Sequence, residues 1–310
     1  MNKNPMKADL NSLSPYVRYV RINTSHGLSQ AYIDPEFVFT HIFEGYGHFL
    51  LEGRQYSVRR GDTILMPPYM LHIIRAPAGV SIVQYIAHFD CLYNPLRGKK
   101  VRLEKKMTLK KSLRTAGKAE RFFASMPLLI TMRPEDQKTL ERLFLRLKSE
   151  FDRRPCAFEL TTKAMMLEIL SLYLRNSGNP AQVENAQMKG WRNLEKAIVF
   201  IQNNLQHPLT LGDISRAAGL SSHYCCRLFK NYTRTTIHHY LNIARIQKAK
   251  ILIDNAKLNF SQIADEIGFS SVHLFSRVFK KTEGMPPGDY AKLICAGHHP
   301  FQGKTGAGCR

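Results

Sequence analysis

The chain has 310 residues, 44% of them hydrophobic and 22% charged, the make-up of an ordinary globular protein about two domains long, which excludes collagen-like and low-complexity architectures. Forty-five Lys+Arg against 24 Asp+Glu leave a formal net charge of +21, a balance that favours a polyanionic partner, nucleic acid or an anionic surface. No run approaches the roughly 18 apolar residues of a spanning helix; the start MNKNPMKADLNSLSPY has no apolar signal core, and the six cysteines form no CxxC pair, so a cytoplasmic chain with free thiols is expected rather than a membrane protein, a disulfide framework or a zinc knuckle.

Residues 1–95 read as short strands. FVFTHIF (37–43), HFLLEG (48–53), RQYSVRR (54–60), DTILMPP (62–68) and VSIVQYIAHF (80–89) are rich in Val, Ile, Phe and Tyr, with Gly45, Gly47, Gly53, Gly61, Pro67, Pro68 and Pro77 between them. Closely spaced hairpins of this kind predict an antiparallel sandwich or barrel. Residues 97–121 then hold eleven Lys/Arg against Glu104 and Glu120 and read as a solvated connecting segment, without a periodic stripe.

From Pro134 the period becomes helical. Leu140, Leu143, Phe144, Leu147 and Phe151 fall on one face, and Phe158–Arg175 is apolar on too many sides for a surface helix. A helical pair is expected, its surplus apolar surface available for self-association. RNSGNPAQVENAQ (175–187) has the composition of a linker.

The segment 189–293 contains a near-repeat. Ile214, Gly219 and Ser221 match Ile263, Gly268 and Ser270 at an offset of 49; after one extra residue, Arg227, Phe229, Lys230 and Tyr240 match Arg277, Phe279, Lys280 and Tyr290 at 50. Each copy, 210–233 and 259–284, reads as two helices joined by a tight turn. A small residue stands four before the turn glycine (Ser215, Ala264), and Ser221 or Ser222, and Ser270 or Ser271, stand where an N-cap belongs. In the second helix of each copy Tyr224, Cys225, Leu228 and Phe229, then Leu274, Phe275, Val278 and Phe279, make the apolar stripe. His223, Cys226, Arg227 and Lys230 remain outward in the first copy, and Val272, His273, Ser276, Arg277 and Lys280 in the second. The intervening HHYLNIARIQKAKILIDN (238–255) predicts a rod of about 17 residues, roughly 25 Å, suited to two recognition helices about 34 Å apart on one turn of duplex. Residues 189–293 carry 15 Lys/Arg against 7 Asp/Glu, a net of +8, as phosphate binding requires.

These residues resemble the AraC/XylS transcriptional regulators: ISRAAGLSSHYCCRLFK, ARIQKAKILI and FSQIADEIGFSSVHLFSRVFKKTEGMPPGDY carry the likeness across 189–293. The family commonly ends the first recognition helix F-K-x-x-x-G; Arg234 replaces that glycine here, whereas the second copy keeps Gly284. EGYGHFLLEGRQYSVRRGDTILMPPYMLH (44–72) resembles, less specifically, the cupin-like effector domain of many such regulators. The resemblance implies an α+β multidomain fold: a cupin-like β-barrel with its basic segment (1–120), a helical dimerisation region (121–177), a linker (178–188), an all-α DNA-binding domain with two helix-turn-helix units (189–293), and a tail (294–310). It implies a transcription factor responsive to an effector, a sugar or other small metabolite; an activator is expected, and the sequence leaves repression open. Its partners would be double-stranded promoter DNA, a second copy of the chain and RNA polymerase.

Ser221, Ser222, His223, Cys226, Arg227, Lys230, Arg245, Ser270, Ser271, Val272, His273, Ser276, Arg277 and Lys280 are the expected DNA contacts. Arg227 and Arg277 suit phosphate or guanine, and Val272 a thymine methyl. Tyr32, His41, His72, Tyr85 and His88 are candidate effector contacts inside the barrel, each equally readable as an ordinary core residue. His41, Glu44 and His72 lack the HxH spacing of a metal-dependent cupin, so no metal and no cofactor are expected. No P-loop, GxSxG, HExxH or paired-carboxylate motif suggests an enzyme. Two rivals stay open: a metal-dependent cupin enzyme with an appended DNA-binding domain, and an architectural DNA binder of low specificity.

Overall fold

The computed structural model describes residues 10, 13–26, 31–93, 109–180, 183–184, 189–254 and 258–295. It divides into two compact units at Arg192/Asn193.

Among the described residues the first unit contains ten strands: β1 (Tyr16–His26), β2 (Ala31–Tyr32), β3 (Phe37–Glu44), β4 (Tyr46–Leu51), β5 (Arg54–Arg59), β6 (Asp62–Met66), β7 (His72–Arg75), β8 (Ser81–Asp90), β9 (Leu129–Thr131) and β10 (Val183–Glu184). Among the described residues they form two separate five-stranded antiparallel sheets, ordered β1-β8-β3-β6-β9 and β10-β5-β4-β7-β2. The expected single barrel is therefore corrected to two facing sheets. Strand pairs at the would-be seam, β9 with β10 or β1 with β2, do not occur in these ladders. The β4–β5 turn uses Gly53 at φ 74°, a conformation glycine adopts without a Cβ clash.

Strand alternation gives the first sheet two apolar faces. Val38, Ile42, Ile64, Met66, Ile82 and Ile86 meet Phe49, Leu51, Tyr56, Val58 and Ile74 of the second sheet. Their neighbours Phe37, Phe39, Leu65, Tyr85, Ala87 and Phe89 face the other way, into a cluster shared with Leu140, Phe144, Met166, Ile169 and Tyr173. Those last residues come from two long helices. In chain order the first unit holds α1 (Leu109–Thr115), α2 (Lys118–Ala124), α3 (Pro134–Arg153) and α4 (Phe158–Asn176).

The five residues expected to form the α3 stripe are all buried. Helix α4 buries Met165, Met166, Ile169, Leu170, Leu172 and Tyr173, so its many-sided apolarity is consumed largely within the unit. The second part of the expected connector 97–121 is helical in α1 and α2, with Arg114, Lys118 and Arg121 exposed; residues 97–108 lie outside the described residues. Within the expected linker, Val183 and Glu184 pair with Tyr56 and Gln55 as an edge strand.

The second unit is all helical, with α5 (Trp191–Asn203) beginning at its boundary, then α6 (Leu211–Ala218), α7 (Ser222–Thr233), α8 (Ile237–Asp254), α9 (Phe260–Glu266), α10 (Val272–Glu283) and α11 (Pro287–Cys295). No helix among the described residues is long and apolar enough to cross a membrane. Residues 296–310 of the expected tail lie outside the described residues.

Candidate functional site

The repeat in the sequence is a repeat in space. Helices α6 and α9 both open with a capping box. The Thr210 hydroxyl accepts from the Asp213 amide while Asp213 accepts from Thr210 N–H, and Asn259 and Gln262 exchange the same pair of bonds. Because Thr210 holds the Asp213 carboxylate through both its hydroxyl and its amide, that carboxyl lies below the usual carboxylate range.

Both second helices start on a serine: Ser221 accepts from the Tyr224 amide and Ser271 from the Leu274 amide. The caps are thus 50 residues apart, while the turn glycines Gly219 and Gly268 are 49 apart, which puts the extra residue of the second copy in its turn, beside Ser270. Ser222 instead meets the Ser215 hydroxyl at 3.1 Å, tying α7 to α6. Each copy is then locked by the same aromatic pair, Phe229 with Tyr240 at 5.2 Å and Phe279 with Tyr290 at 5.5 Å between ring centroids.

This packing decides which side chains face water. In α7, Cys225, Leu228 and Phe229 are buried while His223, Cys226, Arg227 and Lys230 are exposed, the Arg227 guanidinium lying 5.0 Å over the Tyr224 ring. In α10, Phe275 and Phe279 are buried, and His273, Arg277 and Lys280 are exposed. Val272 and Ser276 are half-buried rather than fully outward, Val272 resting against the second core. Burial raises the Cys225 thiol, which disfavours its thiolate. Arg234 closes α7 in the left-handed conformation, φ 57°, where Gly284 closes α10 at φ 79°.

Arg245 is a correction. It stands inside α8, 8% exposed, and its Nε and Nη2 donate to the Leu205 carbonyl at 3.1 Å and the His207 carbonyl at 3.0 Å. The guanidinium also lies 5.5 Å over the Phe269 ring. It braces the end of the α5 segment against α8 instead of facing a phosphate, because those carbonyls have no helical partner of their own.

In the first unit the expected effector residues separate by strand parity. His72, His88 and Tyr32 line a cavity of about 10 Å³ between the sheets. With them are Arg21 and Asn23 of β1, Asp34, Thr40 of β3 and Gln84 of β8. His41 and Tyr85, paired across β3 and β8, lie on the opposite face and are corrected to core residues beneath α3. The His41 Nδ1 is 2.9 Å from Thr63 Oγ1 and its Nε2 is 3.7 Å from Glu141 Oε1. Burial outweighs Glu141 and pushes the imidazole down to about 4, so the 3.7 Å approach is not an ion pair at neutral pH. Burial also lowers His72, against the opposing pull of Asp34.

Asp34, Glu36, Arg21 and Gln84 escaped sequence reasoning. The signal for Arg21 and Gln84 was available in parity, since Gln84, Ile86 and His88 share a face. Asp34 and Glu36 precede β3 and come beside His88 only through the Val38–His88 pairing.

Two family models match, the AraC-like ligand binding domain over residues 17–105 and a helix-turn-helix domain over residues 214–293. The HTH-type transcriptional regulator YfiF of Bacillus subtilis is 24% identical over 298 residues, covering 94% of this chain and 88% of that protein. The Msm operon regulatory protein of Streptococcus mutans is 30% identical over 110 residues, 36% of this chain and 39% of its own length. Among solved structures, an AraC-type DNA-binding domain protein from Chromobacterium violaceum is 27% identical over 33% of this chain and 91% of its own, with a TM-score of 0.32.

Proposed function

The chain belongs to the AraC-type transcriptional regulators, with a ligand-binding half and a DNA-binding half, and on that premise we propose that α7 and α10 enter successive major grooves of a promoter. The observation that carries this reading is the doubled helix pair, each second helix capped by a serine, whose exposed faces bear Arg227 and Lys230 in one copy and Arg277 and Lys280 in the other. In this reading the amides at the Ser221 and Ser271 caps meet phosphates, with Ser222 and Ser270 beside them, and His223, Cys226, Val272, His273 and Ser276 meet base edges. The protein acts in the cytoplasm, as an activator in contact with RNA polymerase.

The proposed effector is a small polar compound of the sugar class, entering between the sheets where Asn23, Asp34, Thr40 and Gln84 offer hydrogen-bond partners. A relative 28% identical over 37% of this chain is the raffinose operon regulator RafR of Pediococcus pentosaceus. Because the present cavity takes one water-sized occupant, a sugar enters only as the sheets part, and that parting supplies the two states an effector needs. Leu145 on α3 and Leu160 on α4, 50% and 66% exposed, are the proposed apolar contacts of a homodimer, testable by light scattering of Leu160→Glu.

Operator binding tests the central reading. Arg277→Ala is expected to cost about 1–3 kcal/mol against a promoter fragment, measured by fluorescence anisotropy over a salt series. Unchanged affinity, or equal affinity for a scrambled fragment, overturns it, the second outcome in favour of an architectural binder.

A further inference from the structure

Beside the intersheet cavity three metal-ligating side chains, Asp34, Glu36 and His88, converge, with a fourth, His72, next to Asp34. Asp34 and Glu36 sit in the turn before β3, His72 opens β7, and His88 is near the end of β8. One donor atom each of Asp34, Glu36 and His88 lies within 4.8 Å of the others. The separations are 3.8 Å from His88 Nδ1 to Glu36 Oε2, 3.9 Å from His88 Nδ1 to Asp34 Oδ1, and 3.6 Å from His72 Nε2 to Asp34 Oδ2. All exceed hydrogen-bond length. They approach the edges of about 3.3–3.6 Å of a tetrahedron whose metal–ligand bonds are about 2.0–2.2 Å.

We infer that Asp34, Glu36 and His88 form a three-ligand binding site for one divalent transition-metal ion in the sensory half, with His72 beside Asp34 as its positioning neighbour.

Two further observations point the same way. The His72 Nδ1 lies 3.2 Å from the Met70 carbonyl, which can only accept. Nδ1 is therefore the donor, and Nε2 presents its lone pair toward Asp34. That is how ligand histidines are oriented, the second ring nitrogen donating to a backbone carbonyl. The space itself, about 10 Å³, matches one ion or one water rather than an organic molecule.

Asp34 and Glu36 give the three-ligand cluster two carboxylates, while in the cavity wall itself Asp34 stands with the Arg21 guanidinium. An imidazole with two carboxylates favours a borderline metal such as zinc, cobalt or nickel over magnesium, which prefers oxygen ligands and retained water. The inference concerns the ion and stands apart from the operator-binding reading; it shares Asp34 with the proposed effector contacts, so ion and sugar would draw on the same residue.

The experiment strips the purified full-length chain with a chelator and titrates it with CoCl2 or ZnCl2, using MgCl2 as comparison. One equivalent of Co2+ or Zn2+ per chain is expected, with a d–d spectrum of nitrogen and oxygen ligands for Co2+. Affinity should fall by at least the roughly 10–100-fold that loss of even an outer-shell partner causes, in each of Asp34→Asn, Glu36→Gln and His88→Gln. Circular dichroism establishes that each variant is folded; for one that is not, the wild-type Co2+ spectrum decides alone. Absence of saturable binding, equal protection by Mg2+, a thiolate charge-transfer band, or undiminished affinity in the folded variants overturns the inference. Anisotropy on promoter DNA with the stripped chain keeps failure of this site distinct from failure of DNA binding.

Discussion

Replacing Arg245 separates a buried brace from a DNA contact. Arg245→Met keeps an unbranched chain to pack beside Phe269 but removes the donors to Leu205 and His207. The Leu205 bond is buried, so its carbonyl loses a charged donor worth about 1.5–3 kcal/mol and gains no water in exchange. The His207 bond is only part-buried, and rehydration limits that loss to about 0.5–1 kcal/mol. Burial lowers the pKa of the guanidinium, and the desolvation returned on its removal offsets some of the sum. The net expectation is about 2–3 kcal/mol, near 8–12 °C in a domain of this size. Hydrogen exchange read by mass spectrometry on peptides from α5, α8 and α9 of the intact chain measures it without assuming that both units unfold together. Arg245→Lys is expected to recover little, since an ammonium cannot span two carbonyls, whereas it would largely preserve a simple phosphate contact. Unchanged exchange protection combined with weakened operator binding would refute the brace and restore the reading from sequence.

The two turn glycines respond unequally. At Gly268, φ 79°, an added Cβ would stand 2.3 Å from the Leu205 carbonyl oxygen and 2.8 Å from Arg245 Nη2, whereas at Gly219, φ 68°, it meets nothing within 4 Å. Gly268→Ala is therefore expected to cost several kcal/mol, on the order of 3 or more, and Gly219→Ala about 1 kcal/mol from its backbone alone, compared by denaturant unfolding. Arg234→Gly relieves the left-handed φ of 57° and should stabilise α7 by about 0.5–1 kcal/mol; a melting temperature that falls instead would show Arg234 making contacts that outweigh the strain. His41 falls from the ordinary 6.5 to about 4 on folding. Between those values the unfolded chain binds more protons, so stability is full above pH 6.5 and is lost as pH drops toward 4. The loss at pH 5.5 is about 1 kcal/mol. Exchange protection of β3 and α3 peptides between pH 7.5 and 5.5 should decline less in His41→Gln, and an identical decline would contradict the neutral buried imidazole.

The repeat, its caps and the α3 stripe were legible in the sequence because they are local. A helix face is written at spacings of three and four residues, and a capping box within four. The offsets of 49 and 50 identified both recognition helices, while the observed caps Ser221 and Ser271 located the extra residue in the second turn. The strands were legible as apolar runs, but their neighbours were not: β9 and β10, of three and two residues, carry too little pattern to be seen, and without them the sheets read as one barrel.

Tertiary structure decided which way each side chain looks. His41 and His88 lie on strands of equally apolar sequence, and only register and alternation put His88 in the cavity and His41 under α3. Arg245 belongs to a basic helix whose polar and apolar residues do not segregate to opposite sides, so nothing local distinguished it from an exposed cation; the unpaired carbonyls of Leu205 and His207, forty and thirty-eight residues earlier, turned it inward. Burial of a charged or polar group depends on partners far away in the chain, and nearest-neighbour periodicity does not contain them.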